Sequence, residues 1–463
     1  MTRLIILTAI TLFLTTTSVL SQNSLQGIWE GGISVPGGQL KVIFKIDRTG
    51  SEYSGTLDIP QQGAKGLRLD PISQIDDSVS LTFKAGSISG VFNGHFDSST
   101  KITGTYGQGG PTTPFTVERI STTTKDPAKP TNETDLILQN DDIKIGGTLT
   151  LPDGDIKAPL LIMSSGSGAQ DRDSDIYDFK IFGIIAQHLA KNGIPSFRYD
   201  DRGINKSSGD FSKATVHNLA SDVEAIISYF QNNADHTFQK FALLGHSQGG
   251  VVAGKVASDK AAVDQLILMG STAPSLSEIL RYQVEFAYSN TPVERALIDD
   301  ELNARDNLME AIALNGDVAK AKENYVSAYS TLLNNLPDAQ KNSIPNIEAM
   351  VVSQSNQLAQ IYSSPQMKSL LFYEPTKDLE KLTIPTLVLY GGKDTQVTIS
   401  QNQDRTKQAL ENAGTPYEVK IFEEANHLFQ KANTGLANEY PLLDKSFIDG
   451  FLDYISNWML SQQ

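Results

Sequence analysis

The chain changes its hydrophobic rhythm near residue 120. Before that point, short runs alternate polar and apolar side chains, as in Gln39-Leu40-Lys41-Val42-Ile43-Phe44-Lys45-Ile46 and Ser78-Val79-Ser80-Leu81-Thr82-Phe83-Lys84. A period of two puts every second side chain on one face of a half-buried strand. Turn-forming groups punctuate these runs: Gly37-Gly38, Thr49-Gly50, Asp76-Asp77 and Ser98-Ser99. Short alternating strands with such punctuation predict a small antiparallel β barrel or sandwich over residues 22–120. Trp29 is expected in its core, or as a plug that closes a barrel. Residues 121–134 are polar and carry two prolines, which reads as a linker.

From residue 135 to residue 463 the rhythm is different. Leu136 to Leu151 reads as a hairpin turning at Asn140-Asp141-Asp142. Apolar runs at Pro159–Ser164, Ile194–Asp200, Lys240–Leu244, Gln265–Met269, Ile384–Tyr390 and Tyr417–Phe422 read as buried strands. Ile181 to Ala190, closed by Asn192-Gly193, reads as a helix. Val216, Leu219, Val223, Ile226, Ile227 and Phe230 recur at helical spacing and give one apolar stripe to lay on a sheet. Strands alternating with helices predict an α/β fold, a mostly parallel sheet with helices on both faces. The alternation stops between about residues 274 and 378, a stretch rich in Ala, Glu, Leu, Asn and Gln. It predicts a helical cap inserted between two strands. Tyr282, Phe286, Tyr288, Tyr325, Tyr329, Tyr362, Phe372 and Tyr373 are candidates to line a pocket beneath it, against the plainer expectation that most are core.

The chemistry enters at Gly245-His246-Ser247-Gln248-Gly249-Gly250. A strand precedes this G-x-S-x-G sequence and Val251-Val252-Ala253-Gly254-Lys255-Val256-Ala257 opens a helix after it. That arrangement is a nucleophile elbow, with the serine at the tip of a sharp turn. A serine hydroxyl needs a base to take its proton, and the partners of such an elbow follow it as acid, then histidine. Of six histidines only His427 lies after Ser247. Asp394, closing the strand at Gly391-Gly392-Lys393-Asp394, is the expected acid, and Glu423 and Glu424 are its rivals by closeness to His427. Two donors must meet the oxyanion. They are expected to be the backbone N–H groups of Gln248 and Ser167, with Gly168 as the alternative to Ser167. Asp171, Arg172 and Asp173 are expected to order that loop by ion pairs rather than touch substrate.

Five segments now resemble one superfamily: the loop Gly166–Asp173, Arg198-Tyr199-Asp200-Asp201-Arg202-Gly203, the elbow, Gly391–Asp394 and Asn426-His427. Together they are similar to α/β-hydrolases of the serine-aminopeptidase-like branch, in particular bacterial carboxylesterases with an extra N-terminal β domain. The resemblance covers the chain from the linker onward. It departs at Asn205, where relatives often carry a second glycine, so the shape of that loop is open. It implies a serine hydrolase that cleaves small acyl esters through an acyl-enzyme. A peptidase, an aminopeptidase or an acyltransferase on the same triad is the alternative. A peptidase needs a cap carboxylate for the substrate amino group, and Glu285, Glu294, Glu301 and Glu310 are available. A non-catalytic binding protein is the different class, which a complete triad argues against.

Bulk properties narrow the partners. The chain of 463 residues has a formal charge of −15, which repels nucleic acid and anionic membranes. It has no cysteine, hence no disulfide and no thiolate site, and its histidines are scattered. No metal or cofactor is expected. Arg3, the apolar run Leu4–Leu14 and the small polar stretch Thr15–Ser21 form a signal-peptide pattern over residues 1–21, with cleavage expected near Ser21-Gln22. The run is short for a stable membrane span. A periplasmic or secreted enzyme is expected. The sequence carries no sign of oligomeric state or of acyl and alcohol preference.

Overall fold

The computed structural model describes residues 23–35, 38–59, 64–85, 88–108, 112–120, 132–259, 262–289, 291–344 and 346–462. The signal pattern of residues 1–21 and the linker residues 121–131 lie outside the described residues.

The first unit is a closed antiparallel barrel of eight strands, joined in sequence order and sealed by pairing of the first with the last. The strands are β1 (Gly27–Val35), β2 (Gly38–Thr49), β3 (Glu52–Ile59), β4 (Ala64–Ile75), β5 (Ser78–Ala85), β6 (Ile88–Ser98), β7 (Lys101–Gly107) and β8 (Thr113–Ile120). The alternation read from the sequence sets which side chains point inward. Val42, Phe44 and Ile46 of β2 and Val79, Leu81 and Phe83 of β5 are buried. An eight-stranded barrel is just wide enough for side chains to fill it. Phe92 sits at its centre, with ring centroids 4.8 Å from Phe44, 5.2 Å from Phe115 and 4.5 Å from Tyr106. Trp29 is fully buried, packs edge-on to Phe96 and donates its indole N–H to Leu25 O at 2.8 Å.

The second unit is an eight-stranded mixed sheet in the order β18-β17-β16-β15-β11-β14-β10-β9. Its strands are β9 (Glu133–Asn140), β10 (Ile143–Thr150), β11 (Leu160–Ser164), β14 (Ser196–Tyr199), β15 (Phe241–His246), β16 (Val263–Met269), β17 (Thr386–Gly391) and β18 (Tyr417–Phe422). A two-residue hairpin of β12 (Asp175–Ile176) and β13 (Phe179–Lys180) follows β11. The six strands from β14 to β18 and β11 pair in parallel, and the β9–β10 hairpin is antiparallel. The hairpin begins at Glu133, inside the stretch read as linker.

Helices cover both faces. On one, α2 (Val216–Asn232), α3 (Gln248–Asp259) and α11 (Ile399–Ala413) bury Val223, Ile226, Phe230, Val252 and Leu410. Thr215 and Asn218 form a reciprocal capping box that starts α2. On the other face, α1 (Ile181–Lys191) and α12 (Phe451–Ser461) bury Ile185, Phe451 and Ile455.

The cap lies between β16 and β17. It comprises α4 (Leu276–Tyr288), α5 (Arg295–Ala313), α6 (Val318–Asn334), α7 (Asp338–Lys341), α8 (Ile347–Tyr362), α9 (Pro365–Leu370) and α10 (Thr376–Leu379). It has apolar cores of its own, one around Leu308, Met309, Tyr325 and Tyr362, another around Leu302, Leu332 and Val351. Tyr325 and Tyr362 are therefore core of the cap rather than pocket lining, while Phe286 and Phe372 are exposed. No helix among the described residues is long and apolar enough to cross a membrane.

Candidate active site

The elbow is built from backbone constraints. Strand β15 is buried along its whole length and delivers Ser247 at φ 54°. A non-glycine residue rarely holds that conformation, and such strain gathers at functional sites. The turn is held by Ser247 N–H donating to Met269 O at 2.9 Å and by Gly250 N–H donating to Ser247 O at 3.0 Å. The flanking glycines are forced by packing. A Cβ on Gly245 would lie 2.3 Å from Gly249 O, and one on Gly249 would lie 2.2 Å from Ser164 O. Gln248 opens α3. The first N–H groups of a helix lack intrahelical partners and favour negative charge.

His427 lies on the loop after β18. Its Nδ1 is hydrogen-bonded to Asp394 Oδ2 at 2.7 Å, and both residues are buried. The other carboxylate oxygen of Asp394 accepts the N–H groups of Gln396 and Val397 at 2.8 and 2.9 Å. All three bonds fix the carboxylate, and through it the tautomer and plane of the imidazole. Glu424 instead pairs with Lys431 at 3.3 Å on the surface, and Glu423 is exposed. The hydrogen bonds of the site join His427 to Asp394 and not to Ser247. In unliganded enzymes that last bond is often long.

Two residues that sequence reasoning left without a role hold the histidine loop. Asn426, fully buried, accepts the N–H groups of Leu428 and Gln430 at 3.0 Å each. His246, the variable residue of the elbow, lies with its Nε2 3.0 Å from His427 O and its ring centroid 4.8 Å from that of His427. Burial, with the neighbouring His427 second, pushes the His246 imidazole down to about 3. It is therefore neutral, and the contact requires Nε2 to carry the proton and donate it to the carbonyl. Asn426 stands in the quoted motif and His246 in the elbow, but no local pattern signals bonds that close only in the fold.

The loop after β11 lies against Ser247. A Cβ on Gly166 would meet Ser247 Cβ at 3.4 Å. Ser167 and Gly168 follow, both exposed, with Gly168 at φ 82°. The loop is ordered by charge, as expected from its Asp-Arg-Asp run. Arg172 donates to both carboxylate oxygens of Asp200, from Nε at 3.0 Å and from a terminal nitrogen at 2.5 Å. Asp173 accepts from Arg198 Nε at 2.7 Å, and Asp171 accepts the N–H groups of Asp173 and Asp175 at 3.1 Å. Asn205 takes up the left-handed conformation at φ 43° and donates from Nδ2 to Asp200 Oδ1 at 3.2 Å. Asparagine tolerates this region better than other non-glycine residues, so the loop keeps a glycine-like backbone shape without the glycine.

Two of the four cap carboxylates considered are paired with arginines. Glu301 is fully buried and ion-paired with Arg305, which also donates to Tyr325 Oη at 3.0 Å. Glu285 pairs with Arg295 at 2.6 Å.

A nucleophile elbow over a mixed sheet, a helical cap and a histidine–aspartate pair define the class. The chain belongs to the alpha/beta hydrolase fold family, which matches residues 159–434, more than half of its length. It is similar to the esterase EstD of Thermotoga maritima, 22% identical over 315 residues, which cover 68% of this chain and 65% of that protein. The chain thus spans just under two thirds of the length of that relative. Among solved structures it is similar to a proline iminopeptidase of Mycobacterium smegmatis, at 15% identity and a TM-score of 0.43, covering 71% of this chain and 98% of that one. It is also similar to an esterase of Exiguobacterium antarcticum, at 17% identity and a TM-score of 0.39, covering 70% and 99%.

Proposed function

We propose that the protein is a serine carboxylesterase acting on small acyl esters. The observation that carries this reading is Ser247, held at positive φ at the head of α3 on the strand edge where Asp394 and His427 are hydrogen-bonded. Ser247 Oγ attacks the acyl carbonyl carbon as its proton passes to His427 Nε2. The carbonyl oxygen becomes an oxyanion, met by the N–H groups of Gln248 and Ser167. The intermediate collapses with the C–O bond breaking, and His427 protonates the departing alcohol. Water then attacks the acyl-enzyme with His427 as base, which releases the acid and restores Ser247. Asp394 stabilises the imidazolium without taking its proton.

The reading favours esters over peptides because Glu301 and Glu285, two of the four cap carboxylates considered, are already paired with arginines. The relationship to an esterase supports the same choice. The signal-peptide pattern read in residues 1–21 supports an enzyme that acts in the periplasm or outside the cell. Aryl esters of increasing acyl length, assayed beside aminoacyl amides, test the reaction class. Turnover of the esters, lost in Ser247→Ala, is expected. Turnover of the amides alone would make the enzyme a peptidase.

A further inference from the structure

The barrel touches the second unit at a telling place. Leu67 of β4 forms an antiparallel bridge with Ile204, and both side chains are buried. The neighbouring Gly66, at φ 69°, packs so closely that a Cβ there would lie 3.1 Å from Asn205 Oδ1 and 3.3 Å from Ile204 Cγ2. The docking strand is braced by the neighbouring barrel strands. Asp58 accepts Gly66 N–H at 2.7 Å and pairs with Lys45 at 2.8 Å. Asp58 is the one buried charged residue among the described residues of the barrel.

On the far side of this contact, the turn Asp200–Ser207 holds the loop that leads past Ser247. Ile204 N–H donates to Asp201 O at 3.0 Å, and Asn205 Nδ2 donates to Asp200 Oδ1 at 3.2 Å. Asp201, 5% exposed, then reaches the loop with its side chain. One carboxylate oxygen accepts Ser165 Oγ–H at 2.7 Å and Gln170 N–H at 2.8 Å, while Asp201 N–H donates to Gln170 O at 3.0 Å. Ser165 and Gln170 bracket the segment that contains Gly166, Ser167 and Gly168. Asp200 anchors the next residues through Arg172. The barrel interior is packed with aliphatic and aromatic side chains around Trp29, Phe44 and Phe92.

We propose that the N-terminal barrel is a positioning element for the oxyanion loop, acting through Ile204 and Asn205 on Asp200 and Asp201, with Asp201 as the residue that fixes Ser165 and Gln170. The proposal rests on the serine esterase reading. The geometry matters because a donor misplaced by about 1 Å can cost about 100-fold in rate. Asp201 touches no substrate; it acts through the backbone that carries the donor.

The test uses the full chain and a short aryl ester. Asp201→Ala removes both acceptor bonds and is expected to lower kcat by about 10²–10³, the range for loss of an oxyanion donor, with KM little changed. Asp201→Asn retains an acceptor oxygen and is expected to restore most of the rate. Ile204→Ala and Gly66→Ala disturb the contact from its two sides, and each is expected to lower kcat by about tenfold. In every variant the inhibition constant of phenylboronic acid, whose tetrahedral adduct occupies the oxyanion position, should rise in step with the fall in kcat. A lowered melting temperature with kcat and boronate affinity unchanged would make the contact merely structural and overturn the proposal. Ser247→Ala separates the two levels. Activity surviving in that variant would refute the esterase reading, whereas a dead Ser247→Ala beside fully active Asp201→Ala would refute only the positioning role.

Discussion

The barrel and the hydrolase sheet bury their side chains by opposite rules. In the barrel β2 and β5 alternate between buried and wetter positions, and the buried set is almost wholly apolar, with Asp58 the one buried charge among its described residues. In the hydrolase unit β11, β14, β15 and β17 are buried along their whole length, and charged groups gather where the strands end. Asp200 and Asp201 lie just past β14, Asp394 past β17 and His427 past β18, all buried. A buried apolar side chain needs no explanation, whereas a buried charge must be paired or must work. The difference separates a unit whose buried set is apolar from one whose strand ends gather buried charge, and the two meet at Leu67 and Ile204.

The sharpest way to break this contrast is at the strand ends. Ser247→Ala should leave only the residual catalysis of about 10³–10⁴ over water that binding and the oxyanion donors supply. Asp394→Asn should lower kcat by about 10⁴, while Glu423→Gln and Glu424→Gln, at exposed positions, should change it little. Steady-state rates on an aryl acetate decide this, and a dead glutamine variant beside an active Asp394→Asn would reassign the acid.

The interior of the barrel, away from its contact at Leu67 and Gly66, should respond in stability rather than chemistry. Phe92→Ala empties the centre of the barrel and should cost about 3–5 kcal/mol, read as a fall in an early thermal transition that leaves the hydrolase transition in place. A single cooperative transition that shifts as a whole would mean the two units are not separable. Truncation sharpens the boundary. Arg198 is buried between Glu133, at 2.8 Å, and Asp173, at 2.7 Å. A chain beginning at Thr134 loses Glu133, and breaking a buried pair costs about 3–5 kcal/mol. A chain beginning at residue 131 keeps Glu133 and the bonds of Asn132 to Leu151, so it should fold better by that margin in denaturant titration. With a short and a long acyl ester it should show the same modest loss of kcat as Ile204→Ala.

The smallest expected effect is a pH dependence. Burial, reinforced by Asp200 and Asp222, raises the Asp201 carboxyl to about 7 against the opposing bonds from Ser165 and Gln170. A folded value above the unfolded one, about 3.9, means the neutral form is the one the fold favours. Its contribution is complete below the unfolded value and is lost as pH rises through about 7. The melting temperature of the wild type should therefore fall between about pH 4 and 7 relative to Asp201→Asn, by about 2–4 °C for each kcal/mol lost. Parallel curves would place the Asp201 titration outside this range.

Much of this architecture is legible in the sequence. The barrel strands are legible because one wet face and one dry face impose a period of two, as at Val42, Phe44 and Ile46. Its closure is not, since the pairing of β1 with β8 joins residues far apart in sequence. The pairing of Asp394 with His427 is legible because a single histidine follows Ser247 and glycines end the strand before the acid. Tyr325 and Tyr362 mislead because helical spacing looks the same whether a face meets a pocket or a neighbouring helix. Asp201, His246, Asn426 and Ile204 were invisible as supports for a simpler reason. Their partners lie on other loops, so only the folded chain reveals which carboxylate or imidazole holds which backbone.

The most direct measurement is covalent. A fluorophosphonate mimics the acyl group, and its phosphorus is attacked by an activated serine with loss of fluoride. After inactivation of the full-length protein, peptide mass spectrometry should find one adduct, on Ser247, formed in step with the loss of esterase activity and absent in Ser247→Ala. An adduct on another residue, or labelling and turnover that persist in Ser247→Ala, would contradict the account.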